Sequence, residues 1–149
     1  MPDLRGRLAE ATKTAMKSRD KARVGVLRLV GAEIKRIEVD ERRELDDSDV
    51  IAVLNRMVKQ RNDSETQFRS AGRTDLADQE AYEIRVIREF MPEALGDAQI
   101  DELIKSAIAS SGASSMRDMG KVMAQLGESV QGRADMAVVS AKVKALLAG

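Results

Sequence analysis

Four cations on one stretch of chain offer the clearest chemistry: Lys21, Arg28, Lys35 and Arg42 recur every seven residues. If that stretch is helical, the row drifts only about 20° per heptad and keeps to one side. At about 1.5 Å per residue it runs for roughly 30 Å, enough to follow several phosphates of a folded RNA. The competing reading is a solvated, salt-bridged face. Glu38 sits three residues after Lys35 and four before Arg42, at spacings that favour ion pairs, and long basic stems commonly lie along a core edge. Lys59, Arg61, Arg69 and Arg73 would widen the patch if their helix packs alongside.

A second constellation lies near the C-terminus, where Met119-Gly120-Lys121-Val122-Met123 precedes Gly132-Arg133-Ala134-Asp135. Gly120 falls inside a helical pattern, where it costs about 1 kcal/mol relative to Ala, so close approach of another backbone is expected there. Gly132 suits a turn of positive φ, and Asp135 suits the cap of the next helix. Lys121 and Arg133 then stand near a helix start, where free N–H groups and cations can hold a phosphate. The same residues also suit a plain helix–loop–helix.

Other chemistry is thinly supplied. The 149 residues contain no His and no Cys, which excludes imidazole acid–base work, Cys–His or Ser–His nucleophiles, disulfides and zinc fingers. Asp46/Asp47 and Glu80/Glu83 read as capping charge and an exposed polar face, so no metal and no cofactor is expected. Phe68, Tyr82 and Phe90 stand in helical patterns and read as packing residues, which disfavours base-stacking recognition of single strands. Met116, Met119, Met123 and Met136 suggest core filling or an adaptable partner surface. With 25 basic and 25 acidic side chains, no global field draws the chain to nucleic acid or membrane, so any such contact must be local. The sequence has neither a signal-like N-terminus nor an apolar run of membrane-spanning length, and a soluble cytoplasmic protein without membrane contact is expected.

The elements that must position these residues read as all-α, since apolar residues recur at three and four throughout. Expected helices run from about Asp3 to Ser18, from an Asp20 cap through Val24, Leu27, Val30, Ile34 and Ile37, from the Asp46–Asp49 cluster to Gly72, and from Thr74 or Asp75 to Pro92. Three shorter ones follow, opened by Asp97, by a Ser115/Asp118 capping box and by Asp135. Residues 1–92 hold 19 basic and 18 acidic side chains, residues 93–149 only 6 and 7. That change places a boundary at Met91 to Asp97, between a larger four-helix domain at 1–92 and a smaller three-helix domain at 93–149.

These motifs, with Leu27-Arg28-Leu29 through Ile34-Lys35, Gly72-Arg73-Thr74-Asp75-Leu76 and Phe90-Met91-Pro92, resemble the YqeY family of small bacterial proteins over nearly the whole chain. The segment from Gly120 to Asp135 also resembles the tail domain of GatB, a subunit of the tRNA-dependent amidotransferase; Met136 departs from the Gly or Pro common at that position. The resemblance implies a tRNA-contacting appendage, with tRNA, a synthetase or an amidotransferase as partner; the two basic constellations above offer Arg28, Lys35 and Arg42, with Lys121 and Arg133, as the contacts. It also brings a family label, carbon–nitrogen ligase with glutamine as amido donor, although the chain lacks the usual catalytic constellations. The expectation is a non-catalytic tRNA-binding module; the alternatives are a protein–protein adaptor and a component of glutamine-dependent amidation.

Overall fold

The computed structural model describes residues 3–148. Among them there are seven α-helices, one 3-10 turn and no strand, in two compact units, Met1–Met91 and Pro92–Gly149.

In the first unit, α1 (Leu4–Lys17) starts where the Asp3 carboxylate accepts the Gly6 N–H at 2.7 Å. A three-residue turn leads to α2 (Lys21–Glu41), capped by Asp20 on the Arg23 N–H. α3 (Asp47–Ser70) carries the most developed cap. Asp46 accepts from the Asp49 N–H, Asp49 accepts in return from the Asp46 N–H, and Asp47 accepts the Leu4 N–H, tying the start of α3 to the start of α1. Gly72, at φ +74°, turns the chain into α4 (Thr74–Arg88). The α3–α4 hairpin is the most extensively packed pair, and α1 and α2 lie against it.

The core follows the predicted periodicity: Leu8, Leu27, Val30, Ile34, Leu54, Met57, Val58, Ile84 and Ile87 are buried together. α4 unwinds three residues before Pro92, since Glu89, Phe90 and Met91 donate to carbonyls only three positions back. A proline disfavours helix in its predecessor, so the stop belongs upstream of the ring. Phe68, expected within the inner stripe of α3, is only half-buried, because it lies on the last turn of that helix.

In the second unit, α5 (Asp97–Ser111), α6 (Met119–Val130) and α7 (Met136–Ala148) pack pairwise around Ile104, Val122, Leu126, Val130, Val139 and Val143. The expected cap of α5 moves by one residue. Gly96 occupies the cap, its N–H held by Gln99 Oε1 at 3.0 Å, and Asp97 is the first helical residue. A 3-10 turn, Met116–Asp118, leads into α6, with the Asp118 carboxylate accepting from Ser114 and Ser115 N–H. Asp135 opens α7 by accepting the Ala137 N–H at 2.9 Å.

Candidate nucleic-acid interface

The heptad of cations begins on the solvent side of α2. Lys21 is its first residue, and Arg28 and Lys35 follow at two-turn intervals, all exposed. Arg42 leaves the row: α2 ends at Glu41, and Arg42 takes a left-handed conformation (φ 53°, ψ 44°) that closes the helix. The straight part of the row therefore spans about 21 Å rather than 30 Å. A non-glycine residue there is strained by about 1–2 kcal/mol, and Arg19, at φ 59°, ends α1 in the same way.

Glu38, expected to neutralise Lys35 and Arg42, turns elsewhere. It accepts from Arg5 at 3.0 Å and from the Leu45 N–H at 2.9 Å, locking α1 and the α2–α3 turn to α2. Glu33 and Asp40 are taken by Arg36, whose guanidinium holds the Glu33 carboxyl below its ordinary range. Arg43, not Arg42, pairs with Asp49 at 2.7 Å, which together with the Asp46 N–H brings the Asp49 carboxyl down to about 2. Among the described residues, Lys21, Arg28, Lys35 and Arg42 carry no carboxylate partner. Lys35 also borders an open groove of about 550 Å3 between α1 and α2, floored by Leu8, Leu27 and Ile34.

Of the four cations expected to widen this patch, Lys59 is exposed, without a carboxylate partner among the described residues, and the other three are paired. Arg69 is held by Glu65 and Asp78, and Arg73 by Asp75. Arg61 points inward, 3.5 Å from Glu83, so the Glu80/Glu83 pair is not the exposed polar face that its composition suggests. Glu83 is buried at 8% exposure. Glu80 is half-buried, and its carboxyl is pushed up by that burial and by neighbouring Glu83. The Arg61 Nε has no well-formed hydrogen bond. Nothing in the local pattern of either helix marks this pair, because it depends on the register of the α3–α4 hairpin.

In the second unit, Lys121 extends into solvent at 70% side-chain exposure, with only a 3.9 Å approach to Asp118. Arg133 is largely spent on its own chain. Its Nε donates to the Glu93 carbonyl at 3.0 Å, an Nη to the Ser129 carbonyl, and its backbone carbonyl accepts the Leu95 N–H at 2.8 Å. The expected phosphate cradle is filled from within, since Asp118 and Asp135 occupy N–H groups at the starts of the 3-10 turn and α7. Gly132 adopts φ +72° as its turn requires. Gly120 does not mark a close approach: a Cβ built there meets nothing within 4 Å.

The YqeY-like family model matches residues 5–147. The chain belongs to the YqeY-like family. This YqeY-like chain is 31% identical over 141 residues to "Altered inheritance of mitochondria protein 41, mitochondrial" of Pyrenophora tritici-repentis, covering 93% of this chain and 77% of that protein. A protein of the same name from Candida glabrata is 32% identical over 90 residues, covering 59% of this chain and 50% of that one. Both relatives are fungal and are named as mitochondrial, which overturns the cytoplasmic expectation and the restriction of the resemblance to bacteria. No helix among the described residues is long and apolar enough to cross a membrane.

Proposed function

We propose that this YqeY-like chain is a non-catalytic accessory module that binds tRNA through a local basic surface formed by Arg28, Lys35 and Arg42, with Lys121 and Arg133 as contacts of the second unit. The observation that carries the reading is the row itself, exposed cations at a regular two-turn repeat on α2 with no carboxylate set against them. Arg5, Arg23, Arg36, Arg43, Arg61, Arg69 and Arg73 all have carboxylates, whereas the α2 row stands exposed without them. Unpaired cations at a two-turn repeat suit recognition by shape and phosphate, in which bases are not read. The strained Arg42 supports the same reading, since glycine would close α2 with less strain. Resemblance of the Gly120–Asp135 segment to the GatB tail adds tRNA as the RNA class. Arg133 contributes least directly, because two of its guanidinium nitrogens already donate to carbonyls.

Titration with bulk tRNA at two salt concentrations tests this. Binding that weakens steeply with salt supports it, and absent binding at low salt, or affinity indifferent to salt, removes it.

A second reading, a protein–protein adaptor, draws on the exposure of Met116 and Met136. Met119 and Met123 instead pack against the core, so only part of the Met cluster is open. A protein partner retained from nuclease-treated lysate would favour that reading over the first.

A further inference from the structure

Phosphate contact leaves the rest of the solvent face of α2 unexplained. Ala22, Gly25, Leu29, Ala32, Arg36 and Val39 are all exposed, Leu29 at 49% and Val39 at 66%. Their spacing is three, four, three, four, three, which is the a/d seam of a coiled coil. At about 100° per residue the middle of this seam lies well away from Leu27, Val30 and Ile34, which face the core, while Val26, also buried, borders the seam's edge. One helix thus carries two apolar faces, and only one of them is covered.

The two edges of the open seam differ in sign. Lys21, Arg28 and Lys35 line one edge at the positions preceding each a residue, while Glu33 and Asp40 line the other at the positions following the second and third d residues; Val26, after the first, is buried in the core. In a parallel pair of helices, a residue of the first edge meets the residue five positions further along on its partner's second edge. Arg28 then faces Glu33 of the second copy, and Lys35 faces Asp40. An antiparallel pair would set basic edge against basic edge.

We propose that α2 pairs with α2 of a second copy in a parallel, two-fold arrangement along this seam, held by Leu29 and Val39 and registered by Arg28–Glu33 and Lys35–Asp40 contacts between copies. Gly25 has open space around it, so the backbones can approach closely there. Arg36, the one charged seam position, keeps its bonds to Glu33 and Asp40 of its own helix, and a charged a position fixes register while weakening the pair. The dimer is therefore weak, salt-sensitive and parallel.

Charge-swapped mixing tests it on the full chain after nuclease treatment. Arg28→Glu/Lys35→Glu and Glu33→Lys/Asp40→Lys each set like charges against each other in their own homodimer, yet complement each other fully when mixed. Sedimentation equilibrium at low salt, from about 5 to about 500 μM, should show a concentration-dependent dimer for the native chain. Each variant alone should dissociate more readily by on the order of a hundredfold, and the mixture should recover a heterodimer. Leu29→Glu, at an exposed position, should abolish the dimer while the helical circular dichroism is retained. A native chain that stays monomeric throughout, a mixture no heavier than its components, or a dimer indifferent to Leu29→Glu overturns the proposal. Arg28 and Lys35 also serve the tRNA reading, but this experiment contains no RNA, so either reading can fail without the other.

Discussion

The two units solve the same problem, packing short helices, with different materials. In Met1–Met91 the helices are fastened at their edges by charge: Arg5 to Glu38 and Glu44, Arg23 to Glu89, Arg43 to Asp49, and Arg61 to Glu83. In Pro92–Gly149 one short pair, Lys142 to Asp101 at 2.8 Å, joins α7 to α5, and other polar ties are backbone bonds, with Asp118 and Asp135 held by N–H groups and Arg133 donating to two carbonyls. The difference teaches where free charge has meaning. In the first unit seven of nineteen cations have found carboxylates, and among the rest the row on α2 stands out by its regular two-turn spacing on one exposed side; in the sparsely charged unit the exposed Lys121 belongs to no such row.

The largest test of that division is core truncation in each unit. Leu54→Ala and Ile104→Ala, both at fully buried positions, should each cost about 2–5 kcal/mol. Amide hydrogen exchange should then show protection lost in α1–α4 for the first and in α5–α7 for the second. Equal loss in both units from either change would mean that the chain unfolds as one body.

Next comes the inward ion pair. Arg61→Met should destabilise by about 3 kcal/mol, because it strands a buried carboxylate, and adding Glu83→Leu should restore much of the loss. Chemical denaturation of the single and double variants measures this. A single variant as stable as the native chain would show that charge fastening adds little to the first unit.

Backbone substitutions give smaller effects, and both favour stability. Arg42→Gly should gain about 1 kcal/mol by relieving the left-handed residue, while weakening tRNA binding. Gly120→Ala, at a helical site with open space, should gain about 0.5–1 kcal/mol in the second unit and leave binding unchanged. Thermal melts check both.

The smallest effect separates the two kinds of carboxylate support. Asp49 is lowered chiefly by Arg43, and Asp118 by the Ser114 and Ser115 N–H groups. Both folded values lie below the unfolded ones. Each group therefore stabilises the fold above the ordinary carboxylate range and loses that contribution as pH falls through its folded value, about 2 for Asp49. Added salt should raise the Asp49 value and leave Asp118 nearly where it is, because an exposed ion pair is screened and a backbone bond is not. Carboxyl NMR titration at two ionic strengths reads this directly.

Much of this arrangement was legible in the sequence where the cause is local. Asp20, the Asp46–Asp49 cluster and Asp135 cap the helices they were expected to cap, and Gly132 takes its positive φ. The departures arise where the cause is a partner distant in the chain. Glu38 abandons Lys35 for Arg5, 33 positions away, and Glu83 is buried by Arg61, 22 positions away. Heptad spacing showed the row on α2 but could not show that α2 stops one residue before Arg42. It also could not show which cations the fold would neutralise, and that the row on α2 is left open is a finding of the structure.

The most direct test of the central claim is therefore a salt-dependent titration of bulk tRNA against the native chain and Arg28→Glu/Lys35→Glu. The open α2 row predicts weaker binding by the variant and a log–log salt slope shallower by about two ion contacts, with helical content unchanged. Equal affinity and equal slope for the two proteins would contradict it.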